Sequence, residues 1–279
     1  MNSSEFADML PAECRPHYEA FRGYQRLAIE TLREFHRVCE KRGVEYQLAW
    51  GSLLGAVRDN GQIPWDYDVD VFVRCDQREE LIDALRAELS SRYYFTSIES
   101  ESSCRNYIMR LAPEGYDSSA LHVDVFFLMG TSADEATQKD HLRRMHAVAE
   151  SRFRKLVNAR KEAMGKPEAF LKMILKKLLL LTTSVRSLDR EYLRLIGEYP
   201  LDSALYWAEA DSFAEQGCFS RDLLNETELI ETELGVFRVS KSREKLLSEM
   251  YGEYMNYAPL DQRIEEFERH YKKLVAFNG

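Results

Sequence analysis

Hydrophobic residues in this chain alternate between helical and strand-like spacing. Between Tyr18 and Arg42 they recur every three or four positions with charges between them, which predicts an amphipathic helix ended by Gly43. A short strand is predicted over 44–50. Further helices are predicted over 77–90, 134–158, 169–197, 242–250 (capped by Ser242) and 261–275, and further strands over 93–98, 106–111, 121–128 and 233–240.

The most informative strand pattern covers residues 68–73, where aspartates alternate with valines. Asp68 and Asp70 are therefore predicted on one face, about 6.5–7 Å apart along the backbone, while the valines pack on the other. Asp66 has the same parity. A lone Asp in a strand is usually exposed, but alternating acids in an apolar strand are costly to bury unless they are paired or bound to metal. The pattern favours a cation site.

The strand predicted over 121–128 repeats this arrangement. Asp124 lies between His122 and Phe126 on one face, and the residues of the other face are apolar. This strand is the natural source of a third carboxylate. His122 fits a structural role as well as a catalytic one, so it is not assigned to the chemistry.

A Gly-Ser turn lies between the strand over 44–50 and a short helical piece. A strand that leads through Gly51 and Ser52 into a helix start presents free backbone N–H groups to an anion. Arg58 fits either a charge-assisted phosphate contact or a surface ion pair. Gly51, Ser52 and Arg58 are therefore the candidate phosphate-binding residues.

Three carboxylates beside an anion site suit Mg²⁺, or Mn²⁺, shared between protein and ligand phosphates. Asp68 and Asp70 are the predicted ligands, Asp66 is a further candidate, and Asp124 is a third ligand or the base toward an attacking hydroxyl. The residues leave three functions open. They are phosphoryl transfer, nucleotidyl transfer from ATP or CTP to a small hydroxylated acceptor, and nucleotide binding without turnover.

Composition narrows the class of protein. The chain has 279 residues, 45% of them hydrophobic and 30% charged, as in globular proteins that bury a core. Its net charge of −9 argues against broad nucleic-acid binding, which needs a basic surface. The five cysteines are odd in number and lack a C-x-x-C pair, so reduced thiols in the cytoplasm are expected. No secretory signal and no membrane-spanning stretch are predicted.

Residues 169–186 combine a leucine-rich face with Lys172, Lys176, Lys177 and Arg186. A helix packed in the protein is favoured, and a helix lying on an anionic membrane surface at the inner face of the membrane is the alternative. No repeat, low-complexity tract or clear linker divides the chain. The prediction is one unit over 1–279, with a catalytic core over about 18–130 and a mainly helical part over about 131–279.

Residues 51–73 resemble the signature of the LicD family, which includes fukutin and fukutin-related protein. The sequence there is GSLLGAVRDNGQIPWDYDVDVFV, and the family has a Gly-Thr or Gly-Ser turn, Leu-Leu-Gly-Ala-x-Arg, and Ile-Pro-Trp-Asp-x-Asp-x-Asp. Residues 121–128 resemble its later His-x-Asp-hydrophobic strand, and residues 251–255 (YGEYM) its Tyr-Gly-x-x-(Trp/Met) element. Tyr67 stands where many bacterial members have a further Asp.

The resemblance implies a nucleotidyltransferase-like α/β fold, with a mixed sheet, flanking helices and a helical C-terminal part. It implies transfer of phosphocholine or a polyol phosphate from a CDP-activated donor to a hydroxyl of a cell-surface glycan or its lipid-linked precursor. Asp68 and Asp70 correspond to the family's metal-binding pair, Asp66 to the first acid of that run, and Asp124 to the later acid.

Overall fold

The computed structural model describes residues 1–100, 104–159, 166–210 and 217–278. The α-helices in these ranges are α1 (Ser3–Met9), α2 (Arg15–Arg42), α3 (Trp50–Leu54), α4 (Arg78–Glu88), α5 (Glu135–Leu156), α6 (Pro167–Leu179), α7 (Val185–Ile196), α8 (Arg243–Tyr251) and α9 (Leu260–Asn278). The strands are β1 (Tyr46–Leu48), β2 (Val69–Arg74), β3 (Tyr93–Thr96), β4 (Met109–Pro113), β5 (Val123–Thr131), β6 (Tyr206–Glu209), β7 (Cys218–Ser220), β8 (Thr227–Thr232) and β9 (Gly235–Ser240).

The chain forms two compact units. The first contains Met1–Phe95, Arg110–Phe126 and Arg221–Gly279, and the second contains Thr96–Met109 and Phe127–Ser220. The last 59 residues thus belong to the same unit as the first 95. The single LicD-like unit expected from the sequence stays a prediction.

The sheet of the first unit has the strand order β1-β2-β5-β4-β3. β1 and β2 are antiparallel, and the described strands include one parallel pair, so the sheet is mixed. α2 buries an apolar face that includes Phe21, Leu32 and Phe35, and Gly43 ends it in the left-handed conformation at φ 71°. The predicted α/β fold class and the predicted cap are confirmed.

β2 and β5, the two strands whose patterns contain acids, are hydrogen-bonded neighbours. Val69, Val71 and Val73 are buried, whereas Asp70 is half-buried on the opposite face. Val123 and Val125 are likewise fully buried. The alternation therefore places Asp70 on the predicted face, whereas Asp68 precedes β2, which begins at Val69.

In the second unit, the end of β5 pairs with β6, and β6 pairs with β7, all antiparallel. Arg152 of α5 is fully buried, where it donates to the Cys104 carbonyl at 3.0 Å and to the carboxylate of Asp189. Tyr107 stacks on Tyr192 with ring centroids 3.7 Å apart. These contacts hold α5 and α7 together. In the described part of the chain, no helix is both long and apolar enough to cross a bilayer.

Some elements differ from their predictions. α1, β6, β7 and β8 were not predicted, and 169–197 is two helices, α6 and α7, rather than one segment. Ser242 precedes α8 as expected, but its side chain makes no capping hydrogen bond and donates instead to the Asp222 carbonyl at 3.3 Å. The predicted Ser242 cap is therefore wrong, because its ψ of 22° is not the extended conformation from which a side chain reaches the first turn.

Candidate active site and metal centre

Asp66, Asp68 and His270 meet in the first unit. Each offers one ligand atom, and these three atoms lie within 4.8 Å of one another. His270 Nδ1 is 3.5 Å from Asp66 Oδ1, which also accepts the Asp68 N–H at 3.2 Å. Two carboxylates and an imidazole this close form a donor set that suits a divalent cation.

The polar atoms of this cluster are poorly satisfied by the protein itself. Among the described residues, Asp68 Oδ1 and His270 Nδ1 are buried and have no hydrogen-bond partner. Burial, and then the charge of Asp68, raise the pKa of Asp66 to about 7. Buried polar atoms without partners and adjacent carboxylates are costly unless a cation joins them. The residues present therefore fit a metal ion.

Gly51 allows Asp66 to approach the backbone. A Cβ at this position would lie 3.1 Å from Asp66 Oδ2, closer than about nine in ten such contacts. The preceding residue, Trp50, has φ 43°, a left-handed conformation that is strained for a bulky side chain. The chain is thus bent sharply at the point where the Gly-Ser turn meets the acids.

The side chain of Ser52 binds the backbone of Asp70, the second predicted metal ligand. Its Oγ accepts the Asp70 N–H at 2.9 Å. The Ser52 hydroxyl keeps its own proton for donation, for example to a phosphate oxygen. By helix geometry the first N–H groups of α3 lack intrahelical acceptors, so this turn retains the features that predicted an anion site.

The loop that carries Asp66 is held by a buried glutamine of α2. The side-chain amide of Gln25 donates to the Ile63 carbonyl at 3.1 Å and to the Asp66 carbonyl, and Arg22 donates to Gln25 Oε1 at 2.6 Å. Gln25 is 1% exposed. It therefore fixes the backbone from which the first acid of the cluster projects.

Asp124 is held by two basic side chains. Arg110 Nε donates to its Oδ1 at 2.8 Å, and His122 Nε2 lies 3.1 Å from its Oδ2. Burial raises the pKa of Asp124, but His122 and Arg110 outweigh it and bring this pKa down to about 2. The carboxylate is thus ionised and fixed. Its predicted role as third ligand or base stays a prediction.

Arg58 is engaged inside the protein. Its guanidinium donates twice to Asp59 Oδ2, at 2.9 and 3.1 Å, and lies over the Tyr257 ring at 4.5 Å. The side chain is 5% exposed. This pairing uses two of the five guanidinium donors, so the structure shows Arg58 in a buried ion pair with Asp59.

The Tyr-Gly element near the end of the chain also lies near the acids. Partial burial and the charges of Asp70 and Asp66 raise the pKa of Tyr251, the last residue of α8. Gly252 follows with φ 65° and ψ −117°, a conformation that needs glycine. The Tyr251-Gly252 element therefore lies near Asp66 and Asp70, although almost two hundred residues separate them in the sequence.

Sequence reasoning missed His270, Gln25 and Arg110. His270 lies on α9 between Phe267 and Leu274, which are both fully buried three and four residues away. Gln25 likewise stands among the buried positions of α2. A polar residue on a core-facing position was the available signal in both cases.

Comparison with known proteins agrees with this geometry. Residues 43–160 match the family described as LicD/FKTN/FKRP, nucleotidyltransferase domain. This range contains α3, β2 and β5, and with them Asp66, Asp68 and Asp124. His270 lies outside it.

Two curated relatives support the match. Lipopolysaccharide cholinephosphotransferase LicD of Haemophilus influenzae is 35% identical over 78 residues, which are 28% of this chain and 29% of that protein. Ribitol 5-phosphate transferase FKRP of Homo sapiens is 36% identical over 104 residues, 35% of this chain and 19% of that protein. The matched region spans less than a third of either relative. The chain thus contains a nucleotidyltransferase domain of the LicD/FKTN/FKRP family and is distantly homologous to both transferases.

Proposed function

We propose that this protein is a metal-dependent phosphotransferase of the LicD type. It moves a phosphorylated small alcohol, phosphocholine or a polyol phosphate such as ribitol phosphate, from a CDP-activated donor to a hydroxyl of a glycan or a lipid-linked glycan precursor. Family membership and the names of the two relatives support the reaction class. The observation that carries the proposal is the Asp66, Asp68 and His270 cluster beside the Gly51-Ser52 turn.

Asp66 and Asp68 would hold the divalent ion, with Asp70 and Asp124 the further acids predicted for it. A Mg²⁺ or Mn²⁺ ion in this place supplies charge neutralisation for the phosphate groups of the donor. In this proposal the Ser52 hydroxyl, which is free to donate because its Oγ accepts the Asp70 N–H, would hold a leaving phosphate together with Gly51. Gln25 and Gly51 keep Asp66 in position.

In the proposed reaction an acceptor hydroxyl oxygen forms a bond to the phosphorus that carries the alcohol. The bond between this phosphorus and the bridging oxygen of the diphosphate breaks, and CMP leaves with that oxygen. The hydroxyl proton passes to a carboxylate of the site or through it to water. Because the alcohol stays on the transferred phosphorus, the products are the phosphodiester-modified glycan and CMP.

A panel of CDP-activated donors with divalent metal tests this proposal. CDP-choline and CDP-ribitol are incubated with the protein and a glycan acceptor, and CMP release is scored by chromatography. We expect metal-dependent CMP release from one donor class. Pyrophosphate release from free CTP or ATP would establish the nucleotidyltransferase alternative instead. Nucleotide binding with neither product would indicate a module without turnover.

The same proposal places the protein at the cytoplasmic face of a membrane, in peripheral contact through residues 169–186. α6 has an exposed apolar stripe at helical spacing, in which Leu171 is 60%, Leu175 54% and Leu178 52% exposed. Residues 169–186 contain three lysines and an arginine but no acid, although the whole chain has a net charge of −9. An apolar stripe among cations is complementary to an anionic lipid surface.

Reversing the charge of Lys172 and Lys176 is expected to weaken binding to anionic vesicles by more than about tenfold, since each basic residue near such a surface contributes about 1 kcal/mol. Co-sedimentation with phosphatidylserine-containing vesicles measures this effect. Lys177 is left unchanged because it donates to the Lys155 carbonyl at 3.1 Å. Reversal of Arg26 and Lys245, two exposed basic residues outside 169–186, is the matched control. Equal binding by both double variants would show that α6 is only a packed helix.

A further inference from the structure

One residue of the Asp66, Asp68 and His270 cluster comes from outside the matched family domain and changes the set of ligand atoms. Asp66 and Asp68 lie in the matched range, whereas His270 is provided by α9. Its Nδ1 lies 3.5 Å from Asp66 Oδ1 and has no hydrogen-bond partner among the described residues. The cluster therefore contains a nitrogen donor that the acid pattern of the sequence does not predict.

The imidazole ring is held firmly in place. The His270 side chain is 12% exposed, and its ring meets that of Tyr67 edge to face, with centroids 5.3 Å apart and planes at 88°. α9 is itself anchored one turn earlier. Phe267 is fully buried and contacts the rings of Phe21 at 5.2 Å and Tyr18 at 5.4 Å. Little rotamer freedom is lost when such a ring binds a ligand, so the site is preorganised.

Nitrogen changes the choice of metal. Mg²⁺ takes oxygen ligands in near-octahedral geometry, and imidazole is instead a good ligand for transition-metal ions. A set of two carboxylates and one imidazole accordingly favours a divalent transition metal over Mg²⁺. Without the imidazole, the two carboxylates would offer only oxygen ligands, which suit Mg²⁺ as well.

We infer that His270 is a direct ligand of the metal ion, and that it makes the site selective for a divalent transition metal such as Mn²⁺ over Mg²⁺. The inference rests on the metal site of the proposed function but not on the reaction. It also ties α9 to the catalytic acids, because a bound ion joins a side chain of that helix to the loop before β2. Metal binding then adds to the ring contacts of Phe267 that already dock α9.

The test uses the full chain, stripped of metal with a chelator and titrated with Mn²⁺. Pulsed electron paramagnetic resonance of the bound ion is expected to show the ¹⁴N modulation of a directly coordinated imidazole. His270→Gln is expected to abolish this modulation and to weaken Mn²⁺ binding by about tenfold or more, the size typical for loss of a contact that supports a metal site. Binding of Mg²⁺, measured by competition, is expected to weaken much less.

His17→Gln is the matched control. His17 is an exposed residue of α2 whose ring stacks on that of Tyr271 of α9, with centroids 4.8 Å apart. The same substitution is therefore made beside α9 but outside the cluster. It should leave both the modulation and the affinity unchanged. The wild-type spectrum decides the question even if His270→Gln folds poorly, because bound Mn²⁺ without ¹⁴N modulation would overturn the assignment. Modulation without CMP release from any donor would uphold the ligand and reject the proposed reaction.

Discussion

Replacing Asp68 by asparagine is expected to abolish transfer while leaving the fold intact. Asp68 is the central residue of the cluster, since its N–H is bound to Asp66 and its Oδ1 has no hydrogen-bond partner in the described structure. The substitution keeps the shape and removes one charge. We expect at least about a thousandfold lower CMP release, because electrostatic positioning carries most of the catalysis in phosphoryl transfer. Divalent-metal binding, followed by calorimetry, should be lost in parallel.

The stability of the Asp68→Asn protein should equal or exceed that of the wild type without metal. Asp66 and Asp68 repel each other in the absence of a cation, as the raised pKa of Asp66 indicates, and the substitution removes this repulsion. Asp83→Asn is the matched control, because the Asp83 side chain is 78% exposed on α4. Full residual turnover in Asp68→Asn would exclude the metal site described above.

The variants Asp66→Asn and Asp70→Asn show which of these two acids binds the metal together with Asp68. Asp70 is half-buried, and its N–H is bound to Ser52 Oγ. Under the predicted assignment, Asp70→Asn loses metal binding as completely as Asp68→Asn does. If Asp66→Asn causes that loss and Asp70→Asn does not, the ion sits with the earlier pair of acids, nearer His270.

The sequence pattern predicted the strands that carry the acids because period-two alternation reports directly on burial. Val69, Val71 and Val73 had to face a core, so the face of Asp70 followed from them. The same alternation predicted the strand that carries Asp124, and the structure shows it as β5, beside β2. The fold class could be predicted for the same reason, since it depends on the order of helical and strand periods along the chain.

The contacts of the site could not be predicted, because they join residues that are far apart in sequence. His270 approaches Asp66 across about two hundred residues, and Gln25 reaches the same loop from α2. Periodicity places each of them on an inward face but does not say what they meet there. Arg58 was uncertain for a different reason. Its motif fits both a phosphate contact and an ion pair, and the structure shows it paired with the adjacent Asp59.

The short strands β6 and β7 were missed for a different physical reason. They have four and three residues, too few for alternation to stand out from chance. β6 is stabilised by pairing with the end of β5, and β7 by pairing with β6. Tertiary context, and not propensity, makes them strands.

Gly55→Ala is expected to destabilise the first unit and to disturb the metal site together. A Cβ on Gly55 would lie 2.6 Å from the Gly61 carbonyl oxygen and 2.9 Å from the Ile63 nitrogen. Both neighbours are backbone atoms, so the loop that leads to Asp66 must move. Overpacking of this kind costs up to about 3 kcal/mol of the free energy of unfolding. Urea unfolding measures this cost.

The loss of metal affinity should exceed what instability alone produces. Gln25 holds the Ile63 and Asp66 carbonyls, so a displaced Ile63 takes Asp66 away from Asp68 even in molecules that stay folded. Gly23→Ala on α2 is the matched control, because its Cβ would meet nothing closer than Arg26 Nη2 at 3.9 Å. Alanine in an open helical position raises stability by about 0.5–1 kcal/mol. A Gly55→Ala protein that unfolds at the wild-type urea concentration and binds Mn²⁺ equally well would show that the loop has room to adjust, and would contradict this prediction.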